Sequence, residues 1–156
     1  MSDETNEVQS LLIPLADKTL LIPRSNVMEV ISLNELEDNP GSVPWFVGSA
    51  EWEGSLIPVV SFEGICGDDL PPSAGRSRVV LVRCLTDHLN TRAFGLISQG
   101  FPQLVRVQED ALSLEPQQFG ESLPVLCQVT MASQSPLIPD IEKLERLVSD
   151  ALAVTS

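Results

Sequence analysis

Tyrosine is absent from this chain, histidine occurs once, and only nine of 156 residues are basic against 22 acidic ones. Binding a phosphate backbone or an anionic lipid head draws its energy from Lys and Arg brought to the anion. A formal net charge of −13 therefore argues against nucleic acid and membrane surfaces as partners. The shortage is also local: residues 1–70 hold 13 acids and only Lys18 and Arg24, net −11, whereas residues 71–156 hold nine acids and seven bases, net −2. A basic protein face is the natural partner for such a surface, although acidity also serves simply to keep a protein soluble and monomeric.

Cysteine is scarce too. Cys66, Cys84 and Cys127 are widely spaced, with no Cys-x-x-Cys and a single His88, which excludes a structural zinc site. Cys84 and Cys127 sit in apolar runs and read as small core residues, while Cys66, in a Gly-rich turn, reads as an exposed thiol. No stretch is long and apolar enough to span a bilayer, since Pro124, Pro136 and Pro139 interrupt the uncharged residues 122–139. The acidic, polar opening Met1-Ser2-Asp3-Glu4 is no secretory or transit signal, so the expected setting is cytoplasmic and reducing.

What is present is a series of short apolar runs bounded by Pro, Gly and Asp about every ten residues, the pattern of a small barrel or sandwich. Strands are expected at 9–15, 19–23, 45–51, 55–62, 78–85, 91–98, 103–107 and 125–132, with the wholly apolar Val79-Val80-Leu81-Val82 central and Gln103–Gln108 keeping one wet face. Asp17-Lys18 reads as a hairpin turn. The tripeptide Leu-Ile-Pro occurs four times, ending at Pro14, Pro23, Pro58 and Pro139. Proline cannot donate to a ladder, so these mark strand ends, edges or bulges. Ile141, Leu144, Leu147, Val148 and Leu152 share one helical face, with Glu142 and Arg146 able to pair on the other. This predicts a helix over 139–152 with Pro139 in its first turn. A shorter helical turn is expected near 25–31. Residues 1–7 and 151–156 are expected as tails around a single domain over 8–150.

Signatures of catalysis are missing. Nucleophilic catalysis needs a nucleophile, a base and an orienting group together, and the one imidazole, His88, lies in the polar Thr86–Asn90 segment between two strands, where an exposed loop histidine is expected. Glu51 and Glu53, two apart on a strand, would share a face. Such a pair forms either an acid/base site or, without an aromatic-lined cleft, a solvated acidic patch with Trp52 turned inward. Trp45, Phe46 and Trp52 would serve as stacking platforms for single-stranded nucleic acid only beside a basic groove, which is absent there. No enzyme activity, cofactor or metal is expected.

The order of these elements resembles the CheW-like domain, a coupling module of bacterial chemosensory arrays, over about Val8 to Val148. The most specific stretch is Val43-Pro44-Trp45-Phe46-Val47-Gly48, continuing through Glu51-Trp52-Glu53-Gly54 to Ile57-Pro58-Val59-Val60-Ser61-Phe62-Glu63. It is similar to the family's Gly-x-x-Asn-Leu-Arg-Gly-x-x-Ile-Pro-Val-x-Asp-Leu-Arg, with both glycines and Ile-Pro-Val in register. Weaker agreement follows in order at Asn26–Ile31, Ala93–Gln99 and Leu137–Leu144.

The resemblance implies a mainly β fold of two small five-stranded, SH3-like barrels around a shared core, plus the C-terminal helix. It also implies a non-enzymatic adaptor that meets the regulatory domain of a CheA-type histidine kinase and the cytoplasmic tip of chemoreceptors, without entering the membrane. Carried onto this chain, the contact residues would be Val27, Glu29, Val47, Glu51, Glu53, Leu56, Ser61, Glu63, Ile97 and Gln99. The departures are specific: Glu51 and Glu53 stand where the family has Asn and Arg, and Ser61 and Glu63 where it has Asp and Arg. Two positive charges become negative, a change expected to cost several kcal/mol, on the order of 2–5, against an unchanged partner. A divergent array is the expected setting, such as a pilus or twitching-motility chemosensory system; the alternative is an accessory regulator that binds one partner without coupling.

Overall fold

A computed structural model describes residues 7–38, 43–72, 75–108, 112–115, 119–120, 123–131 and 134–155. In chain order these form β1 (Glu7–Pro14), β2 (Thr19–Pro23), β3 (Val27–Ser32), β4 (Leu36–Asp38), β5 (Phe46–Trp52), β6 (Ser55–Val60), the single-turn α1 (Phe62–Ile65), β7 (Arg78–Arg83) and β8 (Ala93–Ser98). There follow β9 (Gln103–Gln108), β10 (Ser113–Leu114), β11 (Val125–Thr130), β12 (Leu137–Pro139) and the long α2 (Ile141–Thr155).

The strands make two sheets, ordered β10-β11-β12-β2-β1-β9 and β3-β7-β8-β6-β5-β4, so each has six strands where five were expected. The second sheet, residues 27–98, is inserted between the two halves of the first. Strand period decides how they pack, because successive side chains leave opposite faces. On β7, Val79 and Leu81 point into one apolar cluster with Ala50, Ile57, Val59 and Ala93. Val80 and Val82 point into another, with Ile13, Leu20, Ile22, Phe46, Phe94 and Leu144. The first of these clusters also takes Met28 and Ile31 from β3 and Leu36 from β4, the two strands at opposite ends of the order, so the sheet curls around it. Leu12, Leu21, Val107 and Val129 form the corresponding interior of the first sheet. The cluster between the sheets is the shared core, closed by Ile141, Leu144, Val148 and Ala151 of α2. Each such Val, Leu, Ile or Phe side chain removed from water contributes roughly 1.5–3 kcal/mol.

Gly95 shows how tightly the second interior is filled: a Cβ there would lie 2.8 Å from Val79 Cγ1 and 3.0 Å from Val59 Cγ2. Three of the Leu-Ile-Pro prolines end strands, Pro14 in β1, Pro23 in β2 and Pro139 in β12. Pro58 lies inside β6, one residue before parallel pairing with β8 begins at Val59↔Gly95, so no ladder bond is lost on that side.

Several expectations are corrected. The helical turn near 25–31 is only a 3₁₀ turn at Arg24–Asn26, after which Val27–Ser32 pairs with β7. β6 stops at Val60, and Phe62 begins α1. Pro139 belongs to β12 and not to the helix; Asp140 precedes α2, its Oδ1 accepting the Lys143 N–H at 3.1 Å. Glu7 is already in β1 and α2 runs through Thr155, so neither expected tail has the predicted boundary; residues 1–6 lie outside the described residues. Leu152 is 37% exposed while Ala151 is buried, so the buried stripe of α2 is rotated from the predicted one.

Candidate interaction surface

The β5–β6 hairpin turns through Glu53 (φ 48°) and Gly54 (φ 83°). Two successive residues with positive φ match the twist of a two-residue hairpin, and Gly54 meets nothing within 4 Å, so its role is conformational freedom alone. The strand ends at Trp52, which lifts Glu53 out of the alternation; Glu51 and Glu53 do not share a strand face as expected. Both are exposed. Leu56 pairs with Glu51 across the hairpin and is 56% exposed, an apolar side chain flanked by acids. Trp52 is half-buried against the second interior, and its Nε1 donates to Glu29 Oε1 at 2.8 Å, which ties the exposed Glu29 to the hairpin. Phe46 is buried and offers no stacking platform.

A second group of expected residues converges where the sheets meet. Val47, Ser61, Ile97 and Gln99 line a cleft of about 200 Å³ with Leu70 and Pro71. Ser61 and Glu63, however, are 2% and 1% exposed and offer no side chain to a partner. Ser61 Oγ accepts the Gly64 N–H at the start of α1 and donates to Glu63 Oε1 at 3.4 Å. Glu63 Oε2 accepts the Ala16 N–H at 2.9 Å, from the β1–β2 turn of the other sheet. The same seam carries the Gln99 N–H bond to Pro14 O and the Lys18–Asp68 ion pair, both short. One of the two apparent charge reversals thus does internal work, joining the sheets. Val27 is likewise half-buried against the shared core.

The feature that sequence reasoning missed is Glu145, wholly buried on α2. Its carboxylate accepts the Leu85 N–H at 2.7 Å, the Thr86 N–H and the Thr86 hydroxyl. His88 Nδ1 lies 3.5 Å from Oε2, and Ser149 Oγ donates to His88 O at 3.2 Å. Burial alone raises the Glu145 carboxyl, but the hydrogen bonds from the Thr86 hydroxyl and the backbone N–H groups of Thr86, Leu85 and His88 outweigh it and hold it below its ordinary value. Neighbouring Cys84 is pushed up to about 12, by burial first and the Glu145 charge second. A signal existed: Glu145 sits one turn after Ile141, in line with the apolar stripe of the helix. His88 is in the expected loop and partly exposed, yet the loop is pinned to α2. Glu142 and Arg146 form no ion pair.

This clasp makes one wall of a groove of about 580 Å³. Leu56 and Pro58 of the hairpin, Leu89 and Asn90 of the loop, and Ser149 and Leu152 of α2 line it. Cys66 is half-buried, not exposed; burial pushes its thiol up, and against an opposing pull from Lys18 the charges of Asp68 and Glu63 act the same way. Cys84 and Cys127 pack half-buried against the shared core and the first interior. Among the described residues no three His, Cys, Asp or Glu side chains gather as a metal-ligand set, and no helix is long and apolar enough to cross a membrane.

The fold is similar to that in the crystal structure of the scaffolding protein TtCheW from Thermoanaerobacter tengcongensis, with a TM-score of 0.71 and 17% identity over 85% of this chain and 88% of that one. No curated protein matches the sequence. The family model of the CheW-like domain matches residues 9–147, nearly the whole length, and this chain therefore belongs to the CheW-like domain family.

Proposed function

We propose that the protein is a non-enzymatic adaptor that couples a CheA-type histidine kinase, through its regulatory domain, to the cytoplasmic tip of chemoreceptors at membrane-associated arrays. The observation that carries this reading, beside family membership, is the β5–β6 hairpin: Leu56, Glu51 and Glu53 are presented to solvent on two strands paired with each other from Trp52↔Ser55 to Phe46↔Val60. A surface of that kind binds through side chains, with the apolar residue supplying affinity and the acids selecting a partner. Glu53 is the one charge reversal left at the surface, and it supports a divergent array whose kinase or receptor presents a more basic face; a pilus or twitching-motility system is the proposed setting.

The test is a pull-down of the full chain with cognate kinase and receptor fragments, followed by titration calorimetry. Both fragments are expected in one complex, and Glu53→Arg should weaken binding of the hairpin's partner by about 1 kcal/mol or more at low salt. One partner alone would favour the accessory-regulator reading. Binding of neither fragment would overturn the adaptor.

A further inference from the structure

The packing of the first interior stops short of the end of its own sheet. Strand period puts Val8, Ser10 and Leu12 on one face of β1, and Leu12 packs with Leu21, Val107 and Val129. Two residues before Leu12 the inward position is held by Ser10, whose neighbours across the ladders are Pro23 on β2 and Val105 on β9. A serine and a proline take up far less room than the Ile57, Val59 and Leu81 that close the second interior. The space left is a cavity of about 430 Å³, lined by Leu21, Val107, Leu112 and Ile138 beside Ser10, with the exposed Glu7 and Val8 at its rim. That is roughly three times the size of a protein cavity that encloses one benzene, and within the ordinary range of small-molecule sites.

Two polar groups break the apolar lining, and each restricts the occupant. Ser10 is 4% exposed, and its hydroxyl bonds none of the described residues. A hydroxyl so nearly buried is ordinarily paired, so a ligand that brings a hydrogen-bonding group to this depth gains a contact that an all-apolar one lacks. Glu7 is the only ionisable residue among the described residues that line the cavity, while Arg24, next after Pro23, is exposed outside the lining. Residues 1–70 as a whole carry a net −11. That sign repels a carboxylate or phosphate and attracts an ammonium. We propose that this cavity binds a small arylalkylamine: a molecule of one or two rings whose ring N–H or O–H meets the Ser10 hydroxyl and whose ammonium lies at the rim beside the Glu7 carboxylate. The site belongs to the first sheet and the β5–β6 hairpin to the second, so the inference goes beyond the adaptor reading and does not rest on it.

The test uses the full chain, isotopically labelled, and three isosteric indoles: tryptamine, 3-propylindole, in which a methyl replaces the ammonium, and indole-3-propionate, in which a carboxylate does. Tryptamine should shift the amides of Ser10, Leu21, Val107 and Ile138. Indole-3-propionate should bind at least about tenfold more weakly at low salt, with the neutral indole between them and the gap shrinking as salt is added. Glu7→Gln should weaken tryptamine about fivefold, whereas Asp150→Asn, an equal loss of charge at an exposed position on α2, should leave it unchanged. Ser10→Ala should weaken all three indoles by about threefold or more. Ser10→Ile, which fills the floor, should abolish binding; should that variant fail to fold, Val8→Trp, at a rim position 50% exposed, blocks the mouth to the same effect. Binding by none of the indoles, shifts centred elsewhere, binding that survives Val8→Trp, or equal affinities for tryptamine and indole-3-propionate would overturn the proposal. A successful kinase and receptor pull-down alongside any of those results would leave the adaptor standing.

Discussion

The two sheets fill their interiors differently. In the second sheet Ala50, Ile57, Val59, Val79, Leu81 and Ala93 are all 1% exposed or less, and Gly95 is needed because no Cβ fits beside Val79 and Val59. In the first, Leu12, Leu21, Val107 and Val129 keep a few per cent of exposure, and Val8, Leu104, Leu114 and Leu126 of its strands stand half or more in water. Chain order supplies a reason. The second sheet is built from the continuous segment 27–98, whereas the first must join residues 7–23 to 103–139 across that whole insertion. Closing the longer loop costs conformational entropy before any contact repays it, so the inserted unit is the better candidate for the nucleus on which the outer one closes.

Breaking the second interior should therefore have the largest effect. Leu81→Ala should cost about 2–5 kcal/mol, since a fully buried leucine leaves a cavity among close neighbours. Gly95→Ala should cost about 1–3 kcal/mol by forcing Val79 aside. Val129→Ala, in the looser first interior, should cost clearly less than Leu81→Ala. Urea unfolding at neutral pH measures all three, and equal losses in the two interiors would erase the contrast.

The same contrast governed what could be read from the amino-acid order. Val79–Val82 announced a central strand because both of its faces are buried, and the Ile57-Pro58-Val59 motif placed β6. β3 was hidden because Val27-Met28-Glu29 mixes apolar and charged residues behind a 3₁₀ turn, and its strand identity comes from pairing with β7. β4, β10 and β12 are two or three residues long, too short for any period to register. At the surface, Leu56, Glu51 and Glu53 are exposed, but no local signal marked Glu63 for burial: its carboxylate bonds Ala16, 47 residues away. Glu145 and Thr86 are 59 apart for the same reason.

Glu145 gives the next effect in size, and it separates the clasp from both interiors by its pH dependence. The folded carboxyl lies below its ordinary value, so its contribution is complete above the unfolded value and is lost as pH falls through the folded one. Glu145→Gln should be destabilising at pH 7, by about 1–3 kcal/mol, and nearly without further effect once the pH has fallen below the folded value of the parent carboxyl. Thermal melts across that range measure it. The variant also removes the negative charge that adds to burial in raising Cys84, so maleimide labelling of Cys84 at pH 8 should quicken relative to the parent. Labelling of Cys84 that is as fast in the folded parent as in urea would show that the clasp is not closed in solution.

The smallest expected effect lies on the seam between the sheets, where Lys18 Nζ sits 2.9 Å from Asp68 with side-chain exposures of 26% and 50%. Burial lowers the Lys18 ammonium, but the hydrogen bond and charge of Asp68 win and leave it above its ordinary value. Any stability from that shift is present throughout neutral pH and is lost only in alkali, as pH rises through the folded value. Water screens both partners, so a Lys18→Met, Asp68→Asn double-mutant cycle should give a coupling of about 0–1 kcal/mol. Glu63 spans the same seam without that screening, its carboxylate buried and bonded to the Ala16 N–H. Glu63→Leu should therefore cost more than the whole Lys18–Asp68 coupling, because it removes the acceptor of both the Ala16 N–H and the buried Ser61 hydroxyl. Were the exposed pair to prove the stronger link, the seam would be held by surface charge and the burial of Glu63 would have another cause.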